Sequence, residues 1–427
     1  MKKDESRYKN FVKLLAEELL PAMGCTEPAA LAFAAAKARE VLGTLPERVL
    51  VEVSGNIVKN VKSVVVPNTG GLKGIKAAVA AGIVLGDAEK KLEVIAGIHP
   101  DQIHLIREFL DKVPVETKMS DTDRVLEIII TVHTSSSWAR LRIINSHTNI
   151  VSVEKDGALL FKKEEEKTDR NIDAGKIELD VPAIVEFADT VDIEDVRSLI
   201  EKQIECNSAI AAEGFRGDYG ANIGKLLLKK HCGDVRVRAK AAAAAGSDAR
   251  MSGCELPVII LSGSGNQGLT ASLPVIEFAS GLNKSREELI RALVLSDLLT
   301  IHLKTGIGRL SAYCGVVCAG AAAGAAIAYL QGGKIKEVSQ TLVNALAITS
   351  GIICDGAKAS CAAKIAFSVD AGILGFEMVN DGRQFYGGDG IIAKDVEDTI
   401  KNISRLGSEG MRSTDREIIK IMLEEEK

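Results

Sequence analysis

Leu310 to Leu330 reads LSAYCGVVCAGAAAGAAIAYL, and the reading of this stretch decides the fold. It carries no charge and is long enough to span a bilayer. Most of it is alanine and glycine, which are far less lipophilic than leucine or phenylalanine. The stretch is therefore predicted to be a helix buried in protein, with neighbours that approach its backbone closely. The rest of the chain suits that packing, with 39 glycines in 427 residues, 4% aromatic residues and a single tryptophan.

Outward from this helix, the chain after Pro182 shows helical patterns at 183–205, 207–212, 220–230, 234–250, 268–281, 285–302, 335–349, 357–370 and 413–424. The joints are rich in glycine: GFRGDYGANIG, GSDARMSGCELP, SGSGNQG, KTGIGRL and GIICDGAK. A bundle whose glycine loops converge on one end is a natural setting for a site. Upstream, from Arg48 to Phe161, the texture is β-rich. RVLVEVS, VKSVVVP, VLEIIITVHT, ARLRIIN and NIVSVEKDGALLF read as strands, interrupted by short helices at 74–85 and around 103–110. The chain opens with an amphipathic helix through Tyr8, Phe11, Val12, Leu15 and Leu19 that ends at Pro21, and a second helix runs from about Pro28 to Leu42.

The expected class is α+β. N-terminal helices (1–43) pack on the C-terminal domain, an α+β domain (44–180) follows, and a helical domain (181–427) carries the site. Charged residues 162–176 read as a solvated linker or an exposed hairpin tip.

A net charge of −5 and a pI near 5.9 give no general attraction to nucleic acid or anionic lipid. The opening MKKDESRYKNFVKLLAEELL lacks the apolar centre of a signal peptide. A cytoplasmic protein is expected, acting on a small molecule and not on nucleic acid or a membrane. Association into a homo-oligomer stays open.

Eight cysteines (25, 206, 232, 254, 314, 318, 354 and 361) in such a chain suggest metal or catalysis, because structural disulfides are rare in the cytosol. Four lie between 314 and 361. Cys314 and Cys318 are i and i+4, about 5–6 Å apart on one helix face. Cys354 falls in the GIICDGAK loop and Cys361 in the first turns of the next helix, so both can face a common point. Four ligands would close a [4Fe–4S] cluster and suit electron transfer, whereas three would leave one iron open as a Lewis acid. Neither spacing matches a zinc knuckle or a CxxC ferredoxin. The bland alternative is four small buried hydrophobes.

Cys25 lies in PAMGCTEP, where Thr26 can cap a helix and Glu27 and Pro28 suit its first turn. A thiol just outside a helix N-terminus is expected to have its pKa drawn toward neutrality, and could serve as base, nucleophile or ligand, or simply pack under a turn. Ser262, Ser264, Asn266 and Gln267, in SGSGNQG, form a candidate anion nest before a helix, fitted to a carboxylate. The alternative there is a plain tight turn. His147, in SHTN, could orient a substrate, although a lone histidine is more often structural. His302 and Lys304 are weaker candidates, expected in the loop before Arg309.

In order along the chain, PAMGCTEPAA, SGSGNQG, GRLSAYCGVVCAGAAAG and SGIICDGAKASC resemble the L-cysteine desulfidase family, a relative of the α chain of iron–sulfur L-serine dehydratase. The resemblance extends to the closing GMRSTDREIIKIM. It implies a [4Fe–4S] cluster on Cys314, Cys354 and Cys361, with Cys25 as proton acceptor and Cys318 outside the set. It also implies conversion of L-cysteine to pyruvate, ammonia and sulfide. The serine dehydratases space their last two cluster cysteines further apart, and some add a capping cysteine near the C-terminus, where this sequence reads EEEK. They also carry Ser-His-Thr where this chain has Gly-Cys-Thr. These departures favour the desulfidase. Serine dehydration by the same mechanism is the alternative, followed by an iron–sulfur sensor or amino-acid-binding protein. A pyridoxal-phosphate lyase would need a Schiff-base lysine, for which there is no convincing partner to the glycine loop.

Overall fold

The computed structural model describes residues 1–122, 124–164, 179–231, 233–308 and 310–424. The fold is α+β, with N-terminal helices, then a sheet region, then a helical region.

Helix α1 (Ser6–Glu18) buries Tyr8, Phe11, Leu14 and Leu15. Tyr8 and Phe11 each meet Phe187 edge-on at 5.2 Å between ring centres, which fixes α1 to the helical region. It ends two residues before Leu20–Met23, which form a short strand, β1, instead of prolonging the helix to Pro21. Proline has no N–H to continue a helical ladder. After β1 comes α2 (Thr26–Leu42), which packs on α4 (Gly74–Leu85) and on the sheet.

The sheet comprises β2 (Arg48–Val53), β3 (Val115–Met119), β4 (Glu127–His133), β5 (Trp138–Ile144), β6 (Ile150–Lys155) and β7 (Ala158–Lys162). Their order is β3-β2-β4-β5-β6-β7, antiparallel except for the β2–β3 pair. Two expectations need correction here. VKSVVVP is no strand: Val61 ends α3 (Gly55–Val61), while Val64 and Val66 are buried in the loop that follows. The strand opposite β2 is Val115–Met119, whose mixed pattern gave no signal. Helix α5 (Ile103–Lys112) lies close to its expected place. The charged stretch at 162–176 falls largely outside the described residues.

The helical region runs α6 (Val181–Thr190), α7 (Ile193–Arg216), α8 (Ile223–His231), α9 (Val235–Met251), strand β8 (Pro257–Ile260), α10 (Gly265–Gly281), α11 (Arg286–Thr305), α12 (Gly315–Leu330), α13 (Ile335–Thr349), α14 (Cys361–Asn380), α15 (Val396–Arg405) and α16 (Arg412–Glu424). The pattern at 183–205 is two helices, because Asp192 caps a new one by accepting the Glu194 N–H. Helix α15 had no counterpart in the sequence reading.

Helix α12 is the buried helix read from the alanine–glycine run, starting at Gly315 and not at Leu310. It packs against α10, α11, α13 and α14. Among the described residues no helix is long and apolar enough to cross a membrane. Backbones touch where α12 meets α14: a Cβ on Gly324 would lie 2.3 Å from the Gly372 carbonyl oxygen. Gly324→Ala should therefore push the helices apart and cost about 1–3 kcal/mol, read as a lower melting temperature. Gly233→Ala, where an added Cβ meets nothing within 4 Å, is the control that should leave the melt unchanged or raise it.

Candidate active site

β1 pairs antiparallel with β8, Leu20 opposite Ile260 and Met23 opposite Pro257. One strand leads into Cys25 and the other into the loop Ser262–Gly268, so this two-stranded ribbon joins segments far apart in sequence. The first residues of α12 and α14 border the same cavity as Cys25 and that loop. Helices α2, α10, α12 and α14 thus all start at one cavity. Their N-cap residues are Cys25, Ser264, Cys314 and Ser360, and none of these side chains caps its own helix. Uncapped first-turn N–H groups and the helix dipoles make such a place favourable to negative charge.

The two cysteine-bearing loops are laced together. The Cys314 N–H donates to the Ile352 carbonyl at 3.1 Å, and the Cys354 N–H to the Ala312 carbonyl at 2.6 Å. Gly356, at φ +97°, then turns the chain under the Lys59 carbonyl, where a Cβ would stand 2.2 Å from oxygen. Cys361 follows as the first residue of α14. Cys314, Cys354 and Cys361 all line the cavity. The Cys314 thiol is pushed up, first by its hydrogen bond with Cys354 and then by burial. Cys354 is held down by that same bond, against burial, with help from Lys59 and Lys304.

Among the described residues, no three His, Cys, Asp or Glu side chains are gathered at metal-holding distance. The donor set nonetheless fits a thiolate-bound cluster in kind: three thiols face one cavity, and buried cations stand by. The buried Lys304 makes no ion pair among the described residues, and its amine is pushed down by burial while the nearby cysteines oppose that shift. Lys59, also buried, pairs with Asp415 of α16 at 2.5 Å.

Cys25 faces the same cavity from α2 and is itself the N-cap, so Thr26 is the first helical residue and not the cap. Its thiol is pushed well up, by burial and then by the charge of Glu27, against the expected drop toward neutrality. Burial removes the water that would solvate a thiolate, and here it outweighs the helix field. The thiol donates to Glu27 Oε2 at 3.0 Å, and the Asn60 amide donates to Oε1, also at 3.0 Å. Burial alone would raise the Glu27 carboxyl, but His147, Cys25 and the local backbone hold it at about 2.

Of the glycine-loop residues, Ser264, Asn266 and Gln267 line the cavity. Asn266 engages Ser247 and Met251, and the Gln267 side-chain carbonyl has no hydrogen-bond partner among the described residues. Ser262, at φ +48°, is buried and is not among the lining residues. Neither is His147, whose buried Nε2 stands 3.7 Å from Glu27 Oε1, beyond hydrogen-bond reach. His302 and Lys304 lie in the last turn of α11 and not in a loop. His302 pairs with Glu397 at 2.8 Å, whereas Lys304 lines the cavity.

Cys314 precedes α12 in extended conformation, so it does not share a helical face with Cys318, which is fully buried in the first turns and off the cavity wall. Cys318→Ala should cost about 1 kcal/mol of stability and leave unchanged whatever iron the wild-type chain takes up. Iron analysis and a thermal melt check this. Cys206 and Cys254 are buried in the core, and Cys232 lies outside the described residues. The residues that sequence reasoning missed are Arg250, Glu27 as a partner of Cys25, Asn60 and Lys59. The one weak signal for Arg250 is an arginine near the end of an alanine-rich helical segment, in AAAAAGSDARM.

The profile of the serine dehydratase alpha chain family matches residues 89–420. The chain belongs to that family. It is also 57% identical to a UPF0597 protein of Desulfitobacterium hafniense, over 99% of this chain and 98% of that one. A UPF0597 protein of Lachnoclostridium phytofermentans is 50% identical over 97% of this chain and all of its own length. One from Treponema denticola is 45% identical over the whole of both chains.

Proposed function

We propose that the chain is an iron–sulfur-dependent lyase that converts L-cysteine to pyruvate, ammonia and sulfide. The observation that carries this is that four thiols from three helix starts and a loop line one cavity, three of them on the α12–α14 side and Cys25 alone on α2. Three can serve as ligands and one is left for chemistry. Cys314, Cys354 and Cys361 would hold a [4Fe–4S] cluster, which when bound supplies a Lewis acid for the departing sulfur.

The chain's own residues handle the proton. In this structure the Cys25 thiol donates a hydrogen bond to Glu27 Oε2, which positions the sulfur; with its carboxyl held at about 2, Glu27 does not keep that proton, so the thiol loses it to solvent before Cys25 acts as base. Burial and the charge of Glu27 oppose that ionisation, and Arg250 and the start of α2 work against them. Cys25 then takes the α-proton, the Cα–H electron pair becomes the Cα=Cβ bond, and the Cβ–S bond breaks to release sulfide. The aminoacrylate tautomerises to an imine, and water releases ammonia and pyruvate. Ser264 and Gln267 border the substrate on the α10 side. A cytoplasmic setting belongs to this reading, since it keeps thiols reduced.

The test is sulfide and pyruvate release from L-cysteine by protein purified without air. Faster pyruvate release from L-serine would move the assignment to serine dehydratase, which the family match favours. Release from neither amino acid by iron-loaded protein would leave a sensor or binding protein.

A further inference from the structure

We propose that Arg250, together with the first N–H groups of α10, is the anchor for the substrate's α-carboxylate. This deepens the lyase reading and rests on it for the choice of substrate. Arg250 sits in the last turn of α9 and is 2% exposed, yet among the described residues its side chain makes no ion pair or hydrogen bond, and Nε is buried without a partner. A buried guanidinium left without a counter-charge is costly. It borders the same cavity as Cys25, Gly263 and Ser264.

The guanidinium lies on the start of α10. A Cβ on Gly265 would stand 2.4 Å from Nε and 2.8 Å from Cζ, so only glycine leaves this space for it. The N–H groups of Gly265, Asn266 and Gln267 occupy the first three helical positions, where no intrahelical acceptor exists. Ser264 does not cap them, and its carbonyl instead closes the first turn by accepting the Gly268 N–H at 3.1 Å. A planar cationic fork beside free N–H donors matches the two oxygens of a carboxylate. Arg250 and Cys25 line the same cavity, which brings a carboxylate held there near the group that takes the α-proton.

The experiment titrates L-alanine, which has the carboxylate and ammonium but no leaving group, into the anaerobically prepared full chain by calorimetry. Ethylamine, which lacks the carboxylate, is the second probe. L-Alanine should bind the wild type, and Arg250→Gln should weaken it by about 30-fold or more. Arg250→Lys, which keeps the charge but loses the fork, should fall between, and Gly265→Ala should also weaken binding by displacing the guanidinium. Ethylamine should bind at least about tenfold more weakly than L-alanine and should not respond to Arg250. For L-cysteine turnover, KM should rise more than kcat falls in Arg250→Gln. The proposal is overturned if L-alanine does not bind the wild type, or if its affinity survives both Arg250 substitutions. Arg250-dependent binding without sulfide release would sink the lyase reading alone. Sulfide release with Arg250-independent binding would sink this assignment alone.

Discussion

Cys25→Ala should retain its iron while sulfide release falls by about 10²–10⁴-fold, the usual contribution of a general base. The thiol is the N-cap of α2, and its hydrogen bond goes to Glu27 and not to Cys314, Cys354 or Cys361. Removing it should therefore leave the other thiols in place. A fourth-ligand role would show itself differently, as loss of iron in the same variant. A packing role would cost about 1 kcal/mol of stability and little turnover. Iron content, melting temperature and sulfide release on one variant separate the three.

On the proposed cluster, Cys354→Ser should abolish both iron binding and turnover. The Cys314 hydrogen bond, Lys59 and Lys304 all favour the Cys354 thiolate against burial. The thiolate, not the thiol, is the metal ligand. A serine hydroxyl keeps the volume but not the softness that iron–sulfur binding needs. Iron and acid-labile sulfide, measured on protein prepared without air, should fall far below the wild-type content. Full iron retention in Cys354→Ser would remove it from the ligand set, whatever the activity.

The parts of this molecule that are legible in the sequence are those with a long repeat or a rare residue type. Helix α12 is readable because an uncharged alanine–glycine run has few uses other than a buried, closely packed helix. The sheet strands with β-branched runs, such as Glu127–His133, are equally plain. Cys25, Cys314, Cys354 and Cys361 stand out by type, and glycine places Cys354 and Cys361 correctly in a loop and at a helix start. Three kinds of feature escape. β1 is four residues long with a proline inside, too short for any alternation, and its partner β8 is more than 230 residues away. The start of α12 after Cys314 depends on backbone bonds between Ala312–Cys314 and Ile352–Cys354, which no local pattern encodes. Arg250 carries only the weak mark of its alanine-rich helix, since its meaning comes from what surrounds it once folded. The direction of the Cys25 shift was misread for the same reason: burial and Glu27 are three-dimensional facts, while the helix end is a local one.

The meeting of four uncapped helix starts has a bearing on how long the protein lasts. Each start carries roughly half an elementary charge of positive sign. Drawn together with Arg250 inside low-dielectric surroundings, they repel one another, and the ionised Glu27 in the same cavity offsets part of this. An anion that the folded chain holds and the unfolded chain does not would offset more of it. Occupancy and lifespan are then linked: supplying such an anion should slow proteolysis of the chain.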